Sequence, residues 1–320
     1  MQYMQQYVVP SGTVCNHISM EPRRACYIHE NDRFVEKYIA AFEAHRDRGT
    51  AFGSIVEKHD FSDSSPILID MDMRQDLDKF DAGEHLYDPA MVRAFVETYV
   101  RHLSKYVKVA GARFFLQEKP SMRLASAHVK CGFHMVCPDI VLATAVQLAV
   151  RRAVLSDIAD LLAARTTNTA VDCFDERVIG ANGWFMYGSS KPGEAPYLET
   201  RVYTVVKADD IVETEVPGDD SDYVRLFAIR FDNRFSDIPG RPRLETPLDV
   251  SPLLPDAPAL PPVLPKGNKR IVGPEVEASK KYVGGKEPKI TLERLRANVM
   301  FLSDAHSCDY DLWLKVSGCL

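Results

Sequence analysis

The chain has 320 residues, of which 46% are hydrophobic and 26% are charged, and its formal net charge is −6. Such a length is enough for two modest domains or for one large domain with appendages. The negative charge argues against a protein that coats nucleic acid over its whole surface, although it is compatible with a local basic groove. No run of 18 apolar residues predicts a membrane span, and the first residues lack the layout of a signal peptide.

The seven cysteines contain no C-x-x-C pair. This usage predicts an intracellular protein with reduced thiols. Cys15-x-His17 and Cys26-x-x-His29 are compatible with zinc in principle, but the first pair is too closely spaced for a usual structural zinc site. We therefore expect no zinc.

Helices and strands are predicted to alternate irregularly along the first two thirds of the chain. The second helix has a strong start signal, with Asp88 as N-cap and Pro89 at the first helical position. The predicted elements are a helix over 31–48, a strand over 67–73, a helix from 89, strands over 112–119 and 130–138, a helix over 139–165, a strand entering a turn over 182–193 and a strand over 197–206. This mixture predicts an α/β or α+β fold.

The composition changes after residue 208. The acidic run 209–222 is expected to be a solvated loop. Ten of the twenty prolines lie between Pro239 and Pro274, which predicts an extended, semi-rigid linker over 239–275. It separates a domain over 1–238 from a small helical segment over 276–320. Because the sequence stops inside a predicted helix, we expect a fragment of a longer protein.

The stretch ILIDMDM, residues 67–73, places two carboxylates on a strand that is otherwise apolar. Because side chains alternate along a strand, Leu68, Asp70 and Asp72 share one face. Burying unpaired carboxylates beside each other is costly, so a cation is expected there. Two such acids can hold a pair of divalent ions, as in sites for phosphoryl or nucleotidyl transfer, and oxygen ligands suit Mg²⁺ or Mn²⁺.

Three further motifs bring polar groups that suit a nucleotide and its metal ions. They are Lys130 and His134 in KCGFHMV, Asp172 and Asp175 in AVDCFDERV, and Ser189, Ser190 and Lys191 in MYGSSKPG. Taken alone, each has a structural explanation, such as a satisfied core histidine or an ordinary hairpin turn. Either Asp172 or Asp175 qualifies as a third metal-binding acid, and hydroxyl groups with one lysine suit a triphosphate.

Two acids, a histidine, a third acid and a lysine turn, in this order on strands, resemble the archaeo-eukaryotic primase superfamily. The similarity is greatest to the N-terminal primase part of the helicase-primases of poxviruses and other nucleocytoplasmic large DNA viruses. It is carried by SSPILIDMDMR, VKCGFHMVCP and VIGANGWFMYGSSKPGEAPYLETRVYTV. Residues 16–42 are also similar, and residues 302–320 resemble the start of the small helical domain that follows primase modules. The proline-rich segment has no counterpart in it.

The resemblance implies a catalytic module like an RNA-recognition motif, packed on an N-terminal α/β module. It implies that Asp70, Asp72 and a third acid are catalytic and bind two Mg²⁺ or Mn²⁺ ions. Asp175 is preferred to Asp172 as that third acid, because it lies three residues before the hydrophobic pair at 178–179, as the family pattern requires. His134, Lys130, Ser189, Ser190 and Lys191 would then contact the nucleotide.

The implied function is that of a DNA primase, or of a primase that also extends primers, acting on single-stranded DNA with NTPs or dNTPs. A superfamily 3 helicase domain in the same full-length chain is the expected partner. The fragment itself is expected to be a monomer, without a membrane, at the site of viral DNA replication. An alternative is a catalytically inactive nucleic-acid-binding or assembly module. A rolling-circle endonuclease is disfavoured because GFHMV supplies only one histidine.

Overall fold

Two antiparallel sheets and the helices around them make up the part of the chain that the structure, a computed structural model, describes. That part comprises residues 2–45, 53–59, 63–80, 85–124, 127–215, 221–242, 244 and 250–260. The strands are β1 (His17–Met20), β2 (Arg23–Cys26), β3 (Ile55–Glu57), β4 (Ser64–Asp76), β5 (Arg113–Glu118), β6 (Arg123–Leu124), β7 (His128–Ala143), β8 (Trp184–Phe185), β9 (Leu198–Lys207) and β10 (Asp210–Glu215). The helices are α1 (Asn31–His45), α2 (Pro89–Leu103), α3 (Thr144–Ala163) and the short α4 (Ala170–Cys173), α5 (Tyr223–Leu226) and α6 (Phe231–Arg234), with 3-10 turns at Gln2–Tyr7 and Arg177–Ile179.

The smaller sheet has the order β2-β1-β3-β8, and the larger has the order β10-β9-β5-β7-β4 with β6 paired to β7. Strands are therefore mixed with helices, and the predicted α+β class is confirmed. No helix of the described residues is long and apolar enough to cross a membrane.

A local start signal determines the beginning of α2. The Asp88 carboxylate accepts a hydrogen bond from the Met91 N–H at 2.8 Å, and Pro89 occupies the first turn of α2, as predicted. Helix α1 begins at Asn31 as predicted, and its expected end at 46–48 lies outside the described residues.

The prediction of a helix from residue 139 is wrong. Strand β7 continues to Ala143, and α3 begins only at Thr144. Leu142 pairs with Ser65, and Cys137 pairs with Ile67, with a register shift between these pairings. Pro138 lies in that irregular stretch, where its missing N–H breaks no regular ladder.

Two further segments differ from prediction. Within 182–193, only Trp184–Phe185 form a strand, and this strand joins β3 in the smaller sheet. Residues 210–215 of the acidic run form β10 instead of a solvated loop. Ile211 of this strand is buried, and Glu213 forms an ion pair with Arg201 at 2.9 Å, so both apolar burial and charge compensation stabilise the pairing.

The two faces of the larger sheet are covered differently. Ile67, Ile69, Met71 and Met73 are at most 1% exposed and pack in one core with residues of α2 and α3, which confirms that they share a face. On the other face, Leu68 packs in a second core with residues of α1 and β8, among others. This second cover ends beside Leu68, so the polar residues farther along β4 line an open cleft.

Part of the proline-rich segment is hydrogen-bonded to β7 and to the chain that follows α2. The Ser251 N–H donates to the Val141 carbonyl and the Leu254 N–H donates to the Tyr106 carbonyl, each at 2.7 Å. The predicted helical segment over 276–320 lies outside the described residues. The domain boundaries at 238 and 275 stay predictions.

Candidate active site

Every residue of the predicted site lines one cleft of about 290 Å³ at the uncovered end of the larger sheet. These residues are Asp70, Asp72, Lys130, His134, Asp175, Ser189, Ser190 and Lys191. They come from β4, β7 and two later loops, and together they span more than 100 residues of the sequence. The fold therefore brings together the motifs that the sequence presents separately.

Two antiparallel strands align the site in rows. Asp70 lies opposite His134, Asp72 lies opposite Gly132, and Arg74 lies opposite Lys130. A Cβ atom on Gly132 would lie 2.0 Å from the Met71 carbonyl oxygen, so only glycine fits at this position. The close approach of the strands sets the spacing between the acids and the histidine.

Asp175 reaches Asp70 through the backbone. The Asp175 N–H donates to the Asp70 carbonyl at 3.0 Å, and Phe174 forms a β-bridge with Met71. Arg151 of α3 holds this segment, since its guanidinium donates to the Phe174 carbonyl, with Nε at 2.9 Å, and lies over the Phe174 ring. The third acid is thereby held against the exposed edge of β4.

Asp172, the alternative third acid, has a different environment. It is exposed within the short helix α4, and its carboxylate accepts a hydrogen bond from Thr169 Oγ1 at 2.7 Å. It is not among the residues that line the cleft. Of the two candidates, the cleft therefore contains Asp175.

The Asp70 carboxylate has little charge compensation. In the described residues its side-chain polar neighbour is His134, whose Nε2 lies 3.6 Å from Asp70 Oδ1. Burial, followed by the negative charges of Asp72 and Asp175, raises the pKa of Asp70 to about 7. A cation bound here would remove that penalty.

The donor set fits a hard divalent cation. Carboxylate oxygens are the ligands that Mg²⁺ and Mn²⁺ prefer. Across the described ranges, no three Asp, Glu, His or Cys side chains already converge closely enough to hold an ion. An ion bound by Asp70, Asp72 and Asp175 would therefore have to draw the three side chains closer together.

His134 is held between two aromatic rings. Its ring stacks on Tyr197 at 3.7 Å between centroids, and Trp184 lies on the other side at 4.5 Å. Burial, followed by the charges of Lys119 and Lys191, lowers the pKa of His134 to about 3. The imidazole is therefore neutral at physiological pH and can act as a hydrogen-bond donor or acceptor, but not as a cation.

The two serines build the lysine turn. Ser189 Oγ accepts a hydrogen bond from the Ile55 N–H at 3.1 Å, and Ser190 Oγ donates to the Glu194 carbonyl at 2.6 Å. Because both hydroxyl groups are occupied within the protein, we expect them to position the exposed Lys191 and not to contact a nucleotide directly.

Sequence reasoning missed several residues of the cleft. They are Lys119, Arg123, Trp184, Glu194 and Tyr197. Lys119 lies two residues after Gln117, whose register partner is His134, so strand alternation places it on the same face. The sequence predicts this strand but not its register. The other four depend on tertiary packing.

Comparison with known proteins gives two findings. Residues 16–203 match the family model "C962R protein N-terminal AEP domain", where AEP stands for archaeo-eukaryotic primase. The chain is also 26% identical over 192 residues to a protein of Acanthamoeba polyphaga mimivirus named "Putative helicase L207/L206". This match covers 57% of the chain but only 18% of the relative. The family match contains all the predicted site residues.

Proposed function

This chain belongs to the archaeo-eukaryotic primase family, and from that premise we propose that it is a DNA primase, or a primase that also extends primers. It would join nucleotides on a single-stranded DNA template, with NTPs or dNTPs as substrates. The observation that carries the proposal is the meeting of Asp70, Asp72 and Asp175 in one cleft with His134 and Lys191. Membership of the family alone does not require those side chains to be present.

The three carboxylates would hold two Mg²⁺ or Mn²⁺ ions. Bound there, such ions would activate the attacking 3′-hydroxyl and would neutralise the leaving pyrophosphate. Because Asp70 is mostly buried and poorly compensated, it gains most from binding an ion. The backbone hydrogen bond from the Asp175 N–H to the Asp70 carbonyl keeps the two residues adjacent in the cleft.

The remaining residues would position the nucleotide. His134, neutral and fixed between Trp184 and Tyr197, would donate a hydrogen bond to a phosphate oxygen. Lys191 and Lys130, which lies opposite Arg74 in the sheet, would neutralise phosphate charge. No side chain has to act as a covalent nucleophile, since positioning and charge neutralisation supply the rate enhancement in phosphoryl transfer.

The partners follow from the relative and from the family. The mimivirus relative is named as a helicase and is several times longer than the matched region. We propose that this chain likewise works beside a superfamily 3 helicase domain, in the same polypeptide, during replication of a large viral genome. We propose that the part described here is a monomer.

De novo synthesis on single-stranded DNA tests the proposal. The assay supplies labelled nucleotides with Mg²⁺ or Mn²⁺ and compares the wild type with the Asp70→Ala/Asp72→Ala double variant. Asp76→Ala is the matched control, because Asp76 lies on the same strand but pairs with Lys79 outside the cleft. We expect short products from the wild type and the control, and none from the double variant.

Other outcomes separate the alternatives. Extension of a supplied primer without de novo products would indicate a polymerase that needs a partner to initiate. Products from the double variant would refute the role of the two aspartates. If neither assay gives products while the chain still binds single-stranded DNA, the inactive binding or assembly module would replace the primase.

A further inference from the structure

Two cations of the cleft converge on a carboxylate that the proposed reaction does not use. Lys119 Nζ lies 2.5 Å from Glu194 Oε2, and Arg123 Nη1 lies 2.7 Å from Glu194 Oε1. Glu194 and Lys119 are mostly buried, with side chains 20% and 23% exposed, whereas Arg123 is largely exposed. One anionic group with two oxygens thus bridges an ammonium and a guanidinium.

This cluster adjoins the proposed nucleotide position. Lys119 Nζ also lies 4.7 Å from the centre of the Tyr197 ring, and that ring stacks on His134. Arg123 lies opposite Lys130 in the sheet register. The bridged cations are therefore one aromatic ring away from the histidine and beside a further lysine of the cleft.

The Glu194 side chain can leave without unfolding the loop. The Glu194 backbone is fixed separately, because its N–H donates to the Lys191 carbonyl at 3.0 Å and its carbonyl accepts from Ser190 Oγ at 2.6 Å. The carboxylate contacts only the two cations in the hydrogen bonds and ion pairs of the described residues. A rotation about its side-chain bonds would release both cations.

The carboxylate compensates charges that otherwise repel. Arg123 and Lys130 are directly opposite on neighbouring strands, and like charges in that position are destabilising. Ammonium and guanidinium groups that converge in a cleft are the donors that bind phosphate oxygens. A phosphate group would replace the Glu194 carboxylate on these cations with the same sign of charge.

We propose that Lys119 and Arg123 form a phosphate subsite for the polyphosphate of a nucleotide, and that the Glu194 carboxylate occupies this subsite until the polyphosphate displaces it. The choice of a nucleotide rests on the proposed function. The existence of an anion subsite closed by an internal carboxylate rests on the contacts alone. Glu194 therefore acts as a competitor that lowers the affinity of the free cleft for polyphosphate.

Calorimetric titration with inorganic tripolyphosphate, in buffer without divalent metal, tests the proposal on the full 320-residue chain. Glu194→Gln keeps the shape of the side chain and removes its charge. We expect it to bind tripolyphosphate about two- to tenfold more tightly than the wild type, because two partly exposed ion pairs no longer have to break. Glu97→Gln, which removes a carboxylate paired with Arg93 on α2, is the matched control and should leave the affinity unchanged.

A second variant tests whether the gain in affinity for tripolyphosphate depends on Arg123. In Arg123→Gln/Glu194→Gln the gain should disappear, because one of the two phosphate-binding groups is lost. Glu194→Ala should show the same gain as Glu194→Gln, and thermal unfolding of each variant checks that the domain is folded. Unchanged or weaker binding by the folded Glu194 variants would overturn the proposal, and so would a failure of every protein to bind tripolyphosphate.

Oligonucleotides distinguish the source of the phosphate. If Glu194→Gln binds single-stranded DNA more tightly but tripolyphosphate no better, the subsite accepts a backbone phosphate and the assignment to a nucleotide is wrong. Because tripolyphosphate binding is measured without template or synthesis, a chain that makes no primers can still show the gain. Failure of the proposed function and failure of the subsite therefore give different results.

Discussion

Replacing Asp70 by asparagine should stabilise the metal-free protein, and the gain should grow with pH. Burial and the neighbouring carboxylates raise the pKa of Asp70 from 3.8 to about 7. Between these values the folded protein holds a proton that the unfolded chain has already released. The free energy of unfolding therefore falls as the pH rises from 4 to 7, and it levels off above 7.

The magnitude follows from the shift in pKa. At 1.36 kcal/mol for each tenfold change in proton affinity, the ionised carboxylate costs the folded state at most about 4 kcal/mol. The side chain is 24% exposed, so contact with water reduces this penalty, and we expect about 2–3 kcal/mol. For a domain of this size the change corresponds to about 5–10 °C in Tm.

Thermal unfolding in EDTA between pH 5 and pH 8.5 measures the effect. At pH 5, which is little more than one unit above 3.8, Asp70→Asn should exceed the Tm of the wild type by less than half of the stated amount, and at pH 8 by the full amount. Asp76→Asn is the control, because this half-exposed carboxylate on the same strand is paired with Lys79. Mg²⁺ at pH 8 should raise the Tm of the wild type more than that of Asp70→Asn. A difference that does not grow with pH would refute the reasoning.

Three further predictions concern the frame of the cleft. His134→Ala should raise the KM for the nucleotide at least severalfold while the Kd for template changes little; an unchanged KM in primer extension would contradict the assignment. Gly132→Ala should destabilise the fold by at least about 2 kcal/mol in denaturant titrations, because the added methyl group would overlap the Met71 carbonyl. Arg151→Gln should weaken Mn²⁺ binding by roughly tenfold, measured by calorimetry, because it releases the segment that carries Asp175; equal affinity would show that the segment holds its place unaided.

Short-range sequence patterns were sufficient to predict much of the larger sheet. The alternation along ILIDMDM predicted which residues of β4 are buried, because one face of the strand is uniformly apolar. Asp88 and Pro89 predicted the start of α2, since capping depends on neighbours within four residues. The strand β7 was located correctly at its centre, where His134 lies.

Errors arose where distant pairing overrides local preference. The segment 139–143 can form either a helix or a strand, and its pairing with Ser64–Pro66 of β4 decides in favour of the strand. Trp184 joins β3, a strand more than 120 residues earlier, and Glu194 meets Lys119 across 75 residues. No spacing within the sequence predicts these contacts. The packing of Trp184 and Tyr197 against His134 and the anion subsite could therefore be found only in the fold.

The two aspartates lie just beyond the point on β4 where the second hydrophobic core, which contains Leu68, ends. Leu68 is the last residue of its face on β4 that the N-terminal core buries, and Asp70 is the next. A strand that served packing alone would place an apolar side chain at Asp70, because the site is buried enough to penalise the charge. Burial at the same place keeps His134 neutral. The instability that Asp70 causes in the metal-free protein is therefore the counterpart of the affinity for a cation that we propose for this strand.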